Sequence, residues 1–237
     1  MRRLQLFNDD YRPAAWADYA GNDKSVRMVQ SIMRRPKWRG GAFYIHGPSG
    51  VGKTSLANLM ALELCSSEMA IEELDGQACT IEAVRDLEAT VHLSTLCGPW
   101  RAWIVNEATA MSTKAVQGWL TLLEKLPHSR LVVFTSTKGP NTNLFGEFEE
   151  PFFSRCYVIE LTRDDETKEA QAKRLLEIAR QEGYMNDLPC CLLLLEQCKW
   201  NLRDAITQIE KNVFPSVEDF LAEIERDLVQ LEKELAL

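Results

Sequence analysis

The stretch Ala42-Phe43-Tyr44-Ile45-His46-Gly47-Pro48-Ser49-Gly50-Val51-Gly52-Lys53-Thr54-Ser55 decides the fold of this chain. Ala42 to His46 is a short apolar run with the length of a buried strand. Ser55-Leu56-Ala57-Asn58-Leu59-Met60-Ala61-Leu62 reads as the start of a helix. Between them stands Gly47-x-x-x-x-Gly52-Lys53-Thr54, the phosphate-loop pattern, in the strand-to-helix setting it requires. Glycines let the backbone wrap closely around a ligand. Amide N–H groups and the helix N-terminus then point at phosphate oxygens, and Pro48, Ser49, Gly50, Val51 and Ser55 are expected to line the same nucleotide. Lys53 is positioned to reach the β- and γ-phosphates, and the Thr54 hydroxyl suits Mg²⁺, which prefers oxygen ligands.

Working outward, strands are expected at Ala70–Leu74, Arg101–Val105, Leu131–Phe134 and Tyr157–Leu161, and helices at 14–35, 80–92 and 112–125. Gly139–Glu150, with its Gly, Pro and Asn residues, reads as a loop. Strands alternating with helices predict a five-stranded parallel sheet between helices. After Leu161 the strand signal stops. Three helices are expected at 165–183, 187–197 and 201–212, then an amphipathic one from about Val217 to Leu237 carrying Leu221, Ile224, Leu228, Leu231 and Leu235. The expected division is 1–162 as a nucleotide-binding α/β domain, 163–213 as a small all-helical lid, and 214–237 as the terminal helix.

Composition agrees with a globular chain. Of 237 residues, 46% are hydrophobic and 26% charged, which argues against wholesale disorder. No apolar run of membrane-spanning length and no secretory pattern are read, so a cytoplasmic protein is expected. The net charge of −8 lacks the overall footprint of a nucleic-acid binder, although a local basic face can act within an acidic protein. The cluster Arg34, Arg35, Lys37 and Arg39 reads first as a solvated turn. Seven cysteines, an odd number without paired CxxC steps, favour reduced thiols serving as small apolar side chains. His46, His92 and His128 have no spacing that marks a metal site or a catalytic dyad.

Phosphate binding becomes hydrolysis only with a group that orients water. Glu107 is that candidate, because it ends the strand Trp103-Ile104-Val105 at the carboxyl edge of the sheet, where such folds bind ligands. Asn106 is the oddity beside it. Enzymes of this kind usually carry Asp there to hold Mg²⁺, and Asn keeps an acceptor while losing the charge. Weaker metal binding or slower turnover is expected.

The order of these motifs resembles the AAA+ ATPases, and within them the clamp-loader branch, which includes the bacterial DNA polymerase III gamma/tau subunit and the replication factor C small subunits. Tyr11-Arg12-Pro13 followed by Trp16-x-Asp18-Tyr19-x-Gly21 resembles that branch's N-terminal signature, which lies against adenine. Thr135-Ser136 matches the polar position called sensor 1, with Ser136 as the better match. Ser154-Arg155-Cys156 resembles the Ser-Arg-Cys motif, whose arginine reaches the neighbouring subunit's ATP. Asn201-Leu202-Arg203-Asp204-Ala205 resembles the lid motif, whose arginine touches the γ-phosphate in cis.

The resemblance, over residues 11 to about 212, implies an ATP- and Mg²⁺-dependent subunit of a homo- or hetero-oligomer that acts with a sliding clamp or other replication protein, and with DNA. Two departures stand out. Clamp loaders carry a collar domain, whereas about 25 residues follow the lid here. Where bacterial members place basic residues before the DNA-tracking helix, this chain has Gln77-Ala78-Cys79-Thr80, with Arg85 nearby. Two other readings stay open: an ATP-binding assembly module with little hydrolysis, and another DNA-directed AAA+ role such as helicase loading.

Overall fold

The structure is a computed structural model that describes residues 10–93, 98–185, 187–215, 218 and 221. Most of the expected terminal helix from Val217 to Leu237 lies outside the described residues. The chain divides into two compact units, with the boundary between Thr162 and Arg163 and with Tyr11 and Arg12 in the second unit.

In the first unit the elements alternate. They are α1 (Asp23–Met33), β1 (Gly40–His46), α2 (Lys53–Leu64), β2 (Ile71–Asp75), α3 (Ile81–Thr90), β3 (Arg101–Asn106), α4 (Thr113–Glu124), β4 (Arg130–Ser136), α5 (Glu149–Phe153) and β5 (Cys156–Glu160). All five strands are parallel, in the order β2-β3-β4-β1-β5. The fold is the expected P-loop α/β sheet. Every residue of the central β4 is buried, as a parallel strand covered on both faces must be.

Alternation along each strand divides the core in two. Phe43, Ile45, Ile104, Leu131 and Val133 pack with Val29 and Ile32 of α1 and with Leu56 and Met60 of α2. Tyr44, Trp103, Val105, Val132 and Phe134 pack on the other face with Val84 of α3 and Trp119 of α4. The loop expected over Gly139–Glu150 holds through Phe145 and ends earlier than expected. A 3-10 turn follows at Gly146–Phe148, and Glu149 opens α5. The cause is aromatic burial: Phe152 is fully buried, with Tyr44, Phe134 and Phe145 rings around it. Local composition carries no sign of that distant contact.

The second unit is helical, with α6 (Asp165–Gln181), α7 (Leu188–Gln197) and α8 (Leu202–Glu210). Leu175, Ile178, Cys191, Leu194, Ile206 and Ile209 form its core. The six described cysteines are free thiols, and Cys65, Cys79, Cys190 and Cys191 are buried. Burial pushes the Cys65 thiol up to about 11, so it stays protonated and unreactive at neutral pH.

Candidate nucleotide site

Parallel strands bring their carboxyl ends to one edge, and the phosphate loop leaves β1 at that edge. The Gly47 N–H donates to the Ser136 carbonyl of β4 at 3.2 Å, which seats the loop between neighbouring strands. Two glycines are required by their surroundings. A Cβ on Gly47 would lie 2.3 Å from the Leu161 carbonyl oxygen. One on Gly52, at φ +102°, would lie 2.8 Å from the Tyr19 hydroxyl. The loop thus passes too close to its neighbours for side chains at those points.

Helix α2 begins at Lys53, directly after the left-handed Gly52, with no side-chain cap. Helices α3, α4, α6 and α8 are each capped, by Thr80, Ser112, Asp164 and Asn201. The α2 end therefore presents backbone N–H groups and its positive dipole end to a ligand. Lys53 is buried and donates to the carbonyls of Gly47 at 3.0 Å and Pro48 at 2.8 Å. That cation sits inside the ring of the loop, where a phosphate would be held. His46, at the end of β1, has its pKa pushed below the ordinary imidazole value by burial and by the Lys53 ammonium, with Glu160 opposing.

Asn106 is the hub of the site. Its Oδ1 accepts from the Thr54 hydroxyl at 2.9 Å and from the Thr135 hydroxyl at 3.1 Å. Its Nδ2 donates to Glu73 Oε2 at 3.3 Å. The Thr54 proton thus points at Asn106, which leaves the hydroxyl lone pairs for a cation. The Thr54 hydroxyl thus offers a hard oxygen donor that fits Mg²⁺; Asn106 Oδ1 is a donor of the same kind, with both lone pairs taken up here by the Thr54 and Thr135 hydroxyls. Glu107, next in the chain, is exposed and holds a left-handed backbone at φ 50°, ψ 53°. That conformation is uncommon for a residue with a Cβ and turns the chain at the end of β3.

At the sensor position the structure departs from the sequence preference. Ser136 is fully buried, and its Oγ donates to the Lys138 carbonyl and accepts from the Lys138 N–H, each at 2.9 Å. Thr135 is the residue that reaches Asn106. Neighbours on a strand point to opposite faces, so only one of the two can face the site. The signal available in the sequence was parity. Val133 and Thr135 share the face that packs on α2, and α2 carries the phosphate loop.

Arg155 lies far from this edge. Cys156 pairs with Ala42 near the start of β1, while the phosphate loop follows the end of β1. At about 3.3 Å per strand residue the separation is roughly 15–20 Å, too far for one side chain. Its guanidinium pairs with Glu124 of α4 and donates to the Pro151 carbonyl at 2.6 Å. Glu124 was not singled out from the sequence, because only tertiary packing brings α4 to the segment before β5.

In the helical unit, the Tyr11 hydroxyl donates to Glu182, and the ring packs on the core of that unit. Burial first, then the Glu182 carboxylate, pushes the phenol up to about 12. Arg12 and Pro13 follow Tyr11 across the unit boundary. Arg203 is exposed in the first turn of α8, and its N–H donates to the capping Asn201.

No protein-family profile matches the chain. Among curated proteins, DNA polymerase III subunit gamma/tau of Mycoplasma genitalium is 22% identical over 87% of this chain and 37% of its own length. Replication factor C subunit 4 of Encephalitozoon cuniculi is 25% identical over 87% of this chain and 64% of its own length. Among solved structures, RuvB of Thermotoga maritima, a Holliday junction branch migration motor, superposes with a TM-score of 0.65 at 16% identity, over 93% of this chain and 68% of that one.

The chain has an AAA+ fold and is similar to clamp-loader subunits. The RuvB likeness shows the fold. The clamp-loader likeness rests on the two sequence relatives, of whose lengths the chain spans about a third and just under two thirds. Among the described residues, no helix is long and apolar enough to cross a membrane.

Proposed function

We propose that this chain is an ATP-hydrolysing subunit of an oligomeric AAA+ assembly that works in DNA replication as clamp-loader subunits do. The observation that carries the reading is the separation of two half-sites. The phosphate loop lies at the carboxyl edge of the sheet, and Arg155 lies at the opposite end of the β1–β5 pair. An arginine so far from its own loop acts on a neighbouring subunit's γ-phosphate or on no nucleotide at all. Its pairing with the half-exposed Glu124 is a surface ion pair, weak enough for a phosphate to displace.

In this reading the α2 N-terminus, Lys53 and the glycine loop hold the phosphates of ATP. Thr54 and Asn106 hold Mg²⁺, which supplies charge neutralisation when bound. Glu107 orients water, and Thr135 takes the sensor role beside Asn106. Tyr11, Arg12 and Pro13 are assigned to the base, and Arg203 to the γ-phosphate, on the resemblance of their motifs to those of the clamp-loader branch. A sliding clamp and DNA are the proposed partners, supported by relatives named as DNA polymerase and replication factor subunits.

The test is phosphate release as a function of subunit concentration. The rate per subunit rises with assembly, and Arg155→Ala lowers it on the order of 10³-fold while nucleotide binding is kept. Full activity in dilute monomer, unchanged by Arg155→Ala, refutes the shared site.

Asn106 favours a second reading, in which ATP holds the assembly together and turns over rarely. Phosphate release no faster than that of Glu107→Gln, with Mg²⁺, DNA and partners present, selects that reading.

A further inference from the structure

The neutral residue at position 106 leaves the cation site without the carboxylate expected at that point of the strand. The neighbouring strand offers one. Ile104 pairs with Glu73, and Asn106 pairs with Asp75. Side chains alternate along strands, so Glu73, Asp75, Ile104 and Asn106 share one face. It is the face toward α2, because Ile104 packs there with Leu56. Glu72 points the other way and accepts from Trp103 Nε1 at 3.1 Å. Of the two adjacent glutamates, only Glu73 reaches the site.

Glu73 also decides which way the amide of Asn106 faces. With Nδ2 toward the carboxylate, a hydrogen bond forms at 3.3 Å. With the amide turned over, Oδ1 would face Glu73 Oε2, acceptor against acceptor. Thr54 and Thr135 are hydroxyls and can donate or accept, so they do not make that choice. The carboxylate makes it, and the result is Oδ1 on the Thr54 side. A charged acceptor on Nδ2 also polarises the amide, which strengthens the partial negative charge on Oδ1.

We propose that Glu73 is a positioning residue for the cation site, supplying from β2 the negative charge that Asn106 lacks and orienting the Asn106 amide toward Thr54. The inference rests on the nucleotide-site reading above. It has a distinctive consequence for pairs of substitutions. Beside Asn106, Glu73 acts on a cation through its charge and through the amide it orients; an aspartate at 106 has no amide to orient, so only the charge is left.

The experiment uses the full chain with ADP. Mn²⁺ affinity of the nucleotide complex is read by electron paramagnetic resonance, and nucleotide affinity is read separately in EDTA. Glu73→Gln weakens Mn²⁺ by about threefold to tenfold and leaves nucleotide affinity in EDTA unchanged, the range expected of one charge a hydrogen bond removed from the ligand in a solvated setting. In an Asn106→Asp background, Glu73→Gln weakens Mn²⁺ binding less than it does beside Asn106.

Asp75→Asn serves as the control. Asp75 already accepts the Gln77 N–H at 2.8 Å, and its removal changes Mn²⁺ affinity less than Glu73→Gln does. Glu73 lies on an exposed stretch of strand, and matching thermal melts verify folding of each variant. Three results each overturn the inference: unchanged Mn²⁺ affinity in Glu73→Gln, equal weakening in both backgrounds, or equal weakening by Asp75→Asn. Failure of the unmodified chain to bind ADP overturns the nucleotide reading itself, and is seen before any variant is made.

Discussion

Asn106 holds two hydroxyls and one carboxylate with a single amide, and the two hydroxyls come from different elements. Removing one donor therefore tests the sensor assignment directly. Thr135→Val keeps the shape of the side chain and deletes the hydrogen bond to Oδ1. Phosphate release falls by about tenfold, the effect of losing roughly one hydrogen bond at a reacting centre, while nucleotide affinity in EDTA is unchanged. Ser136→Ala loosens the turn to Lys138 and leaves the rate within about twofold, since that hydroxyl faces away from the site. The opposite ranking in a steady-state ATPase assay would return the sensor role to Ser136. Both residues were visible as a polar pair at the end of a strand. Which of them faces the nucleotide depended on the parity of β4 against α2.

At the scale of elements, two features join pieces that are distant in sequence. The first is Gly52, where a left-handed backbone meets the Tyr19 ring. Gly52→Ala forces a Cβ into an unfavourable φ and against that hydroxyl. It costs about 1–3 kcal/mol, which a denaturant melt reads, and it tilts the α2 N-terminus away from a phosphate. The second is Arg130, buried to 4% exposure at the start of β4. Its guanidinium donates to the carbonyls of Val91, Leu93, Pro99, His128 and Ser129. It ties the end of α3 to the segment entering β3, with a cage of neutral acceptors in place of a carboxylate.

Arg130→Met strands several buried carbonyls and destabilises by on the order of 3 kcal/mol or more. Calorimetry then shows the melting temperature lowered by roughly 6–12 °C; a change under about 2 °C would mean that other groups or water satisfy those carbonyls. Helix and strand identities in this region were legible from hydrophobic periodicity. Nothing beside the arginine in the sequence marks its role, because its acceptors are up to 39 residues away.

For the whole molecule, stability depends on pH through His46. Its folded pKa lies below that of an unfolded histidine, about 6.5, because burial and Lys53 disfavour the cation. The contribution is complete above that unfolded value. It is lost as pH falls below it toward the folded pKa, since the unfolded chain takes up the proton first. Between pH 7.5 and 5.5 the parent chain loses more stability than His46→Gln; parallel curves for the two would remove His46 from the account.

By itself, the amino-acid sequence determined the alternation of strands and helices, the phosphate loop between β1 and α2, and the change to an all-helical pattern after Leu161. These are encoded in neighbours: periodicity, glycine spacing and caps act over a few residues. Tertiary structure alone decided that Thr135 and not Ser136 meets Asn106, that Glu73 crosses from the edge strand to the same amide, that Arg155 rests on Glu124, and that the burial of Phe152 closes the Gly139–Glu150 loop with a short helix. Each of those contacts joins residues far apart in the chain, and its geometry is set by strand register and by which face of the sheet a side chain occupies.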